Sequence, residues 1–388
     1  MEEPVTSAPL PFTLHVDDAA ITDLHERLAR TRLPDQAPEP PWTYGTDLGY
    51  LSGLLDHWGH GFDWRAQEAA LNAFPGFRVP LHGIDLHYLH VPGEGNAPMP
   101  LLLSHGWPGS VFEFLDLIPR LTQPSKFGGD PADAFTVVAP SLPGYGLSFR
   151  PGQKRFGIEA IADCLADLMT EVLGYERFAA QGGDWGAFVS SRLGAAHKAR
   201  MIGIHLNFLA VPRDPTPPEN ATEEEGRYLQ ELSAFLKEET GYQSIQGTRP
   251  QTLAYGLTDS PAGLAAWMAE KFRMWTDNDG TPDGAVDRDR MLANISLYWF
   301  TGCIGASFHP YYARLHGPWP IPDRVDVPTG YCQFTREIIR PPRSVAERTY
   351  ADIRRWSVMP RGGHFAAMEQ PDALAEEVRT FFRPLRTR

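Results

Sequence analysis

The chain has 388 residues, enough for one large domain with an insertion or for two domains, and its 42% hydrophobic residues can build a sizeable core. A formal net charge of -13, with no run rich in Lys or Arg, argues against a nucleic-acid partner. The three scattered cysteines, Cys164, Cys303 and Cys332, form neither a disulfide framework nor a CxxC metal pair, and they fit packing residues in a reducing cytoplasm.

The start, Met1-Glu2-Glu3-Pro4, has no basic segment followed by an apolar one, and no apolar stretch reaches the length of a membrane span. Neither a signal peptide nor a membrane partner is expected. Residues 1–77 read as a helical extension, with helices over 19–31, 50–59 and 64–74 separated by the Pro-rich 33–41. Its aromatics, Trp42, Trp58, Phe62, Trp64 and Phe74, predict that it packs on something larger.

From residue 78 the pattern alternates between strand and helix. Strands are predicted at 77–80, 84–91, 99–103, 136–140 and 201–206, with helices at 111–121 and 158–173. Such alternation means a largely parallel sheet covered on both faces, an α/β fold whose first part spans 78–209. Residues 210–325 differ: they read as helical and rich in Trp, Tyr and charge, between Pro-rich ends at 212–218 and 317–328. Sheet signals resume at 329–334 and 354–358, before a last helix at 371–382, so 326–388 completes the core and the helical block is an inserted lid.

Within the core, Phe178-Ala179-Ala180-Gln181-Gly182-Gly183-Asp184-Trp185-Gly186-Ala187 has the layout of a nucleophile elbow. A short apolar strand runs into a turn crowded enough to need Gly182 and Gly186, and a helix follows. Where an esterase carries serine, this elbow carries Asp184, and a carboxylate there can attack an electrophilic carbon to form an alkyl ester. The bare G-x-D-x-G pattern also occurs at Gly45-Thr46-Asp47-Leu48-Gly49, but no strand precedes it, and it reads as a turn. The bland alternative for Asp184 is an N-cap on the following helix.

An aspartyl nucleophile needs an oxyanion hole, a base and an orienting acid. The loop His105-Gly106-Trp107-Pro108 follows a core strand at the sheet edge where ligands bind, which makes the backbone N–H groups of Trp107 and Trp185 the oxyanion donors. His105, Gly106 and Pro108 are expected at the substrate pocket, with His105 serving loop geometry and not titration. Arg361-Gly362-Gly363-His364 follows the last strand, so His364 is the base in the order nucleophile, acid, histidine. Glu337 is the acid that fits: Asp326 precedes its strand and Asp352 lies too close to the next one.

With these motifs in hand the chain resembles the microsomal-type epoxide hydrolases of the α/β-hydrolase superfamily over nearly its whole length. The resemblance is carried by Ala70-Leu71-Asn72-Ala73-Phe74-Pro75, HGWPGSVFEF from His105, GGDWGA from Gly182 and RGGHFAAMEQP from Arg361. It implies an α/β-hydrolase fold, no metal or cofactor, and a small-molecule epoxide and water as reactants; a homodimer is left open. It further implies Glu337 as the acid and two lid tyrosines as proton donors. Tyr242 matches one of them. Tyr311 holds the second position when Thr301-Gly302 is kept in register, ahead of its neighbour Tyr312. Microsomal relatives usually begin with a membrane anchor, and none is expected from the residues at the start of this sequence.

A haloalkane dehalogenase would use the same aspartate and histidine, with indole N–H groups of Trp107 and Trp185 holding halide. A non-catalytic receptor of this fold would bind without turnover. The lid aromatics Trp267, Phe272, Trp275, Trp299 and Phe308 point to a bulky or aromatic epoxide. The resemblance implies a role in detoxification or in an antibiotic pathway such as enediyne assembly.

Overall fold

The computed structural model describes residues 8–214 and 219–386. The acidic first residues and positions 215–218 of the lid's Pro-rich opening lie outside that range. Among the described residues nine strands form one sheet in the order β1-β2-β3-β5-β4-β6-β7-β8-β9: β1 (Leu10–Phe12), β2 (Gly76–Leu81), β3 (Ile84–Val91), β4 (Met99–Ser104), β5 (Phe135–Pro140), β6 (Phe178–Gly182), β7 (Met201–Leu206), β8 (Thr329–Gln333) and β9 (Ile353–Val358). β1 to β3 pair antiparallel, β3 pairs antiparallel with β5, and from β5 through β4 to β9 every pairing is parallel. This is the α/β-hydrolase architecture.

Strand geometry divides the core in two. Side chains alternate between faces, so Leu102, Val138, Phe178 and Ala180 join one buried cluster while Leu101, Leu103, Val137, Ala139 and Ala179 join the other. Helices cover both faces, as parallel strands buried on two sides require. α1 (Asp18–Ala29), α2 (Leu48–His60) and α3 (Trp64–Asn72) belong to the N-terminal extension; α4 (Leu117–Thr122), α5 (Ile158–Asp167) and α6 (Asp184–Ala196) to the core. The inserted block holds α7 (Glu223–Glu238), α8 (Gly241–Thr248), α9 (Pro250–Asp259), α10 (Pro261–Trp275), α11 (Arg288–Thr301), α12 (Ile304–Ser307) and α13 (His309–His316). α14 (Arg343–Ala346), α15 (Ala366–Glu369) and α16 (Pro371–Phe382) complete the chain. Among the described residues no helix is long and apolar enough to cross a membrane.

Three local expectations need correction. The extension is not wholly helical, because β1 adds an edge strand antiparallel to β2. The helix expected over 111–121 is a 3-10 turn at Val111–Phe114 followed by α4. Pro119 has no N–H to donate and is tolerated only in a first turn, so α4 starts anew two residues before it. The helix expected over 158–173 leaves α-geometry at Leu168 for a wider π-turn to Val172. Asp47, read as part of a turn, ends that turn as the N-cap of α2 and accepts from the Tyr50 N–H.

The extension braces the lid. Trp58 donates its indole N–H to Ser296 at 2.9 Å, His57 meets Asp289 at 2.6 Å, and the Thr46 hydroxyl donates to the Ala266 carbonyl at 2.7 Å. Trp64 packs on Phe300 with ring centroids 4.9 Å apart. Two faces of the lid, on α10 and α11, are therefore tied to a region that carries none of the candidate chemistry.

Candidate active site

Asp184 sits where β6 turns into α6, with φ of 44°, a left-handed conformation rare for a side chain that carries a Cβ. It is the first residue of α6, whose N-cap is Gly183, so the N-cap alternative for Asp184 does not describe it. Crowding explains the glycines around it. A Cβ on Gly186 would stand 1.8 Å from the Ser104 carbonyl oxygen, and one on Gly106 would stand 2.2 Å from Asp184 Oδ1. The backbone of the β4 loop thus comes within hydrogen-bonding reach, and the Trp107 N–H donates to Asp184 Oδ1 at 2.8 Å. The Trp185 N–H lies in the first turn of α6, where no carbonyl of the helix can receive it.

His364 reaches the same point from the other end of the chain. Its Nδ1 is 2.6 Å from Glu337 Oε1 and its Nε2 is 3.4 Å from Asp184 Oδ2. The loop is fixed by its backbone: His364 N–H donates to the Trp275 carbonyl at 2.8 Å, and Gly362 adopts φ of 102° with its N–H on Asp277. Glu337 is fully covered, and Oε1 also accepts from the Ile338 N–H at 2.7 Å. Burial alone would pull the His364 pKa down. The carboxylates of Glu337 and Asp184 outweigh it and raise the imidazole to about 10, so it rests as the cation. Of the acids set aside in the sequence, Asp326 pairs with Lys198 and Asp352 with Arg354.

The β4 loop is clamped from above by the lid. Asn294 Nδ2 donates to the Pro108 carbonyl at 2.6 Å and Tyr298 Oη to the Gly109 carbonyl at 2.8 Å; four residues apart on α11, they share one helix face. His105 is buried and its Nε2 accepts from the Leu142 N–H at 3.1 Å. Burial pushes its pKa down to about 4, so it is a neutral structural residue.

Tyr242 on α8 and Tyr311 on α13 meet above Asp184, rings 5.7 Å apart and near perpendicular. The Trp107 indole is shared between them: Tyr242 stacks on it at 5.4 Å and 10°, and Tyr311 meets it edge-on at 5.9 Å. Both phenols are buried, and burial raises both pKa values, so both hold their protons. Tyr312 turns outward, 38% exposed, and stacks on His316. The lid aromatics divide similarly. Trp275 and Phe308 touch Trp107, whereas Trp299 packs under Arg27, Phe272 stacks on Phe365, and Trp267 bonds to Gln246.

A small cavity of about 20 Å³ lies against Asp184 and His364, lined also by Ser104, His105, Gly106, Glu113, Gln181 and Asn207 among others. Pro108 is not part of that lining. Glu113 was not singled out in the sequence, although Ser110-x-x-Glu113 has the spacing of a capping box, the one signal it offered. Burial pushes its carboxyl up to about 8. Asn294 and Tyr298 also escaped sequence reasoning, since helical spacing alone gives no hint of the loop carbonyls they meet. Among the described residues no three His, Cys, Asp or Glu side chains gather as a metal-holding group.

Comparison with known proteins agrees with this architecture. Residues 9–114 match the family model for the epoxide hydrolase N terminus, and residues 99–239 match that for the alpha/beta hydrolase fold. The chain is 36% identical to epoxide hydrolase 1 of Oryctolagus cuniculus over 400 residues, covering 96% of this chain and 88% of the rabbit protein's length. In structure it resembles the juvenile hormone epoxide hydrolase of the silkworm Bombyx mori, with a TM-score of 0.88 at 30% identity over 98% of this chain and 95% of that one. Against the Aspergillus niger epoxide hydrolase the TM-score is 0.85 at 29% identity, over 99% of each chain. By its two matching modules and its near full-length relatives, the chain belongs to the microsomal-type epoxide hydrolase family of the α/β-hydrolase superfamily.

Proposed function

We propose that this enzyme opens an epoxide to a vicinal diol in two steps through an ester on Asp184. The Trp107 N–H occupies Oδ1, which leaves Oδ2 to attack a ring carbon. As the C–O bond of the ring breaks, its electron pair goes to the epoxide oxygen, which takes a proton from Tyr242 or Tyr311. A phenol that stays protonated at neutral pH is suited to that task. The product is a hydroxyalkyl ester and a phenolate.

Esterification removes the Asp184 charge, one of the two carboxylates that hold His364 protonated. The imidazolium proton then returns to the phenolate through the pocket, and His364 becomes a neutral base. It takes a proton from water, and the hydroxide adds to the ester carbonyl while the N–H groups of Trp107 and Trp185 receive the oxyanion. Collapse breaks the ester C–O bond. The alkoxide takes the proton left on the new acid, which returns Asp184 as carboxylate and His364 as cation. Glu337 orients the ring throughout.

The observation that carries this reading is the convergence on Asp184 of a histidine backed by a glutamate from one side and two protonated phenols from the other. Replacing His364 with Gln should leave the first step intact and trap the ester; intact-mass spectrometry with no adduct after exposure to a turned-over epoxide would count against it. The substrate class we favour is an epoxide with an aryl or bulky apolar arm, from the facing of Trp275 and Phe308. A panel of aryl and alkyl epoxides assayed for diol tests that, and halide release from haloalkanes without diol formation would point instead to a dehalogenase.

A further inference from the structure

The hydrogen-bond direction at Tyr242 is fixed by a residue outside the set described so far. Gln243 Nε2 is 2.8 Å from Tyr242 Oη. A glutamine amide can face either way, but here its oxygen, Oε1, faces two guanidinium groups, Arg314 Nη2 at 3.2 Å and Arg213 Nη1 at 3.4 Å. Guanidinium offers only donors, so the amide must turn its oxygen to the arginines and its NH₂ to the phenol. Tyr242 Oη therefore accepts from Gln243, and its own proton is left to point elsewhere.

We propose that Gln243, clamped by Arg213 and Arg314, is a positioning residue that makes Tyr242 a one-way proton donor toward the opening epoxide oxygen. This inference rests on the role given to Tyr242 under the proposed function. A donor on the phenol oxygen has two effects. It rules out donation of the Tyr242 proton to the Gln243 amide, and it stabilises the phenolate formed when that proton leaves. The two arginines act in the same sense, since their charge polarises the amide between them. Burial raises the Tyr242 pKa most, and against it Arg213, the Gln243 hydrogen bond and Arg314 all act to lower it. Lys271 adds a cation 4.5 Å from the Tyr242 ring centre, itself paired with Glu270. The phenol thus stands among three positive groups, two of them acting through Gln243.

Gln243→Glu reverses the polarity with almost no change of shape. Its carboxylate would sit between the two guanidinium groups and accept the Tyr242 proton, tying the phenol up. The expected result is an alkylation rate, followed by rapid-quench mass spectrometry of the Asp184 ester, lower by roughly 10²-fold, with the ester hydrolysis rate unchanged. The thermal midpoint should be equal to or above that of the parent because a carboxylate now meets two arginines. Gln243→Leu, which removes the donor without adding an acceptor, should slow alkylation roughly tenfold and spare hydrolysis. Alkylation at the parent rate in Gln243→Glu would overturn the inference, as would equal slowing of both steps together with a lower thermal midpoint. Tyr242→Phe, run beside them, separates the two levels: if it alkylates normally, the role of Tyr242 itself falls, whereas loss in Tyr242→Phe with none in Gln243→Glu removes only the part played by Gln243.

Discussion

The core and the lid supply the reaction centre in different ways. Trp107, Glu337 and His364 stand on loops beyond strand ends and Asp184 at the turn from β6 into α6, and each is held by backbone hydrogen bonds or by a glycine that permits close approach. Tyr242 and Tyr311 stand on helices and are held by ring packing on the Trp107 indole and, at Tyr242, by one glutamine. Rigid placement suits groups that form and break bonds to a fixed atom. Packed placement suits groups that follow an oxygen as it moves away. The two halves are not independent, since Asn294 and Tyr298 of the lid clamp the loop after β4, and the Trp275 carbonyl receives the His364 N–H.

If the division is real, damage to the core should reach ester hydrolysis and loss of a lid phenol should reach only ring opening. The largest effect is expected from His364→Gln, with hydrolysis slowed by roughly 10²–10⁴-fold and ester accumulating in an intact-mass assay. Tyr242→Phe and Tyr311→Phe should each slow alkylation by roughly 10²-fold and leave hydrolysis of a preformed ester unchanged in single-turnover kinetics. A hydrolysis defect in either would break the comparison.

Asn294→Leu probes the crossing point. It leaves the buried Pro108 carbonyl without its donor, at a cost of about 1–3 kcal/mol in urea unfolding. Because the Trp107 N–H then loses its fixed aim, both chemical steps should slow by a similar factor, unlike either tyrosine variant.

The smallest effect concerns pH. The Glu113 carboxyl is raised to about 8 by burial, from about 4.5 when exposed. Between those values the unfolded chain binds fewer protons than the folded one, so this group's contribution is fully present below pH about 4.5 and is lost as pH rises through about 8. Thermal midpoints measured from pH 5 to 8 should fall less steeply in Glu113→Gln than in the parent.

Much of the core was legible in the sequence because its signals are local. The strand before Asp184, the glycines at 182 and 186, and the glycine pair before His364 are each demanded by crowding or turn geometry within a few residues. Helix α16 is announced by Pro371 at its first position. Strand β1 was not legible: three residues pairing across more than sixty positions leave no periodicity to read. Nor were Asn294, Tyr298 and Gln243, whose partners come from other elements and are set by how the lid sits on the core. The lid tyrosines came from family resemblance, and the turn of Tyr311 inward and Tyr312 outward is visible only in three dimensions.

The central claim is that the oxygen first joined to the substrate comes from Asp184 and not from water. One turnover in ¹⁸O-labelled water, with enzyme in excess over epoxide, tests it directly. An unlabelled diol and a single ¹⁸O in the Asp184 peptide are expected after digestion and mass spectrometry. Label in the diol of that first turnover, with an unlabelled Asp184 peptide, would mean direct attack by water and would contradict it.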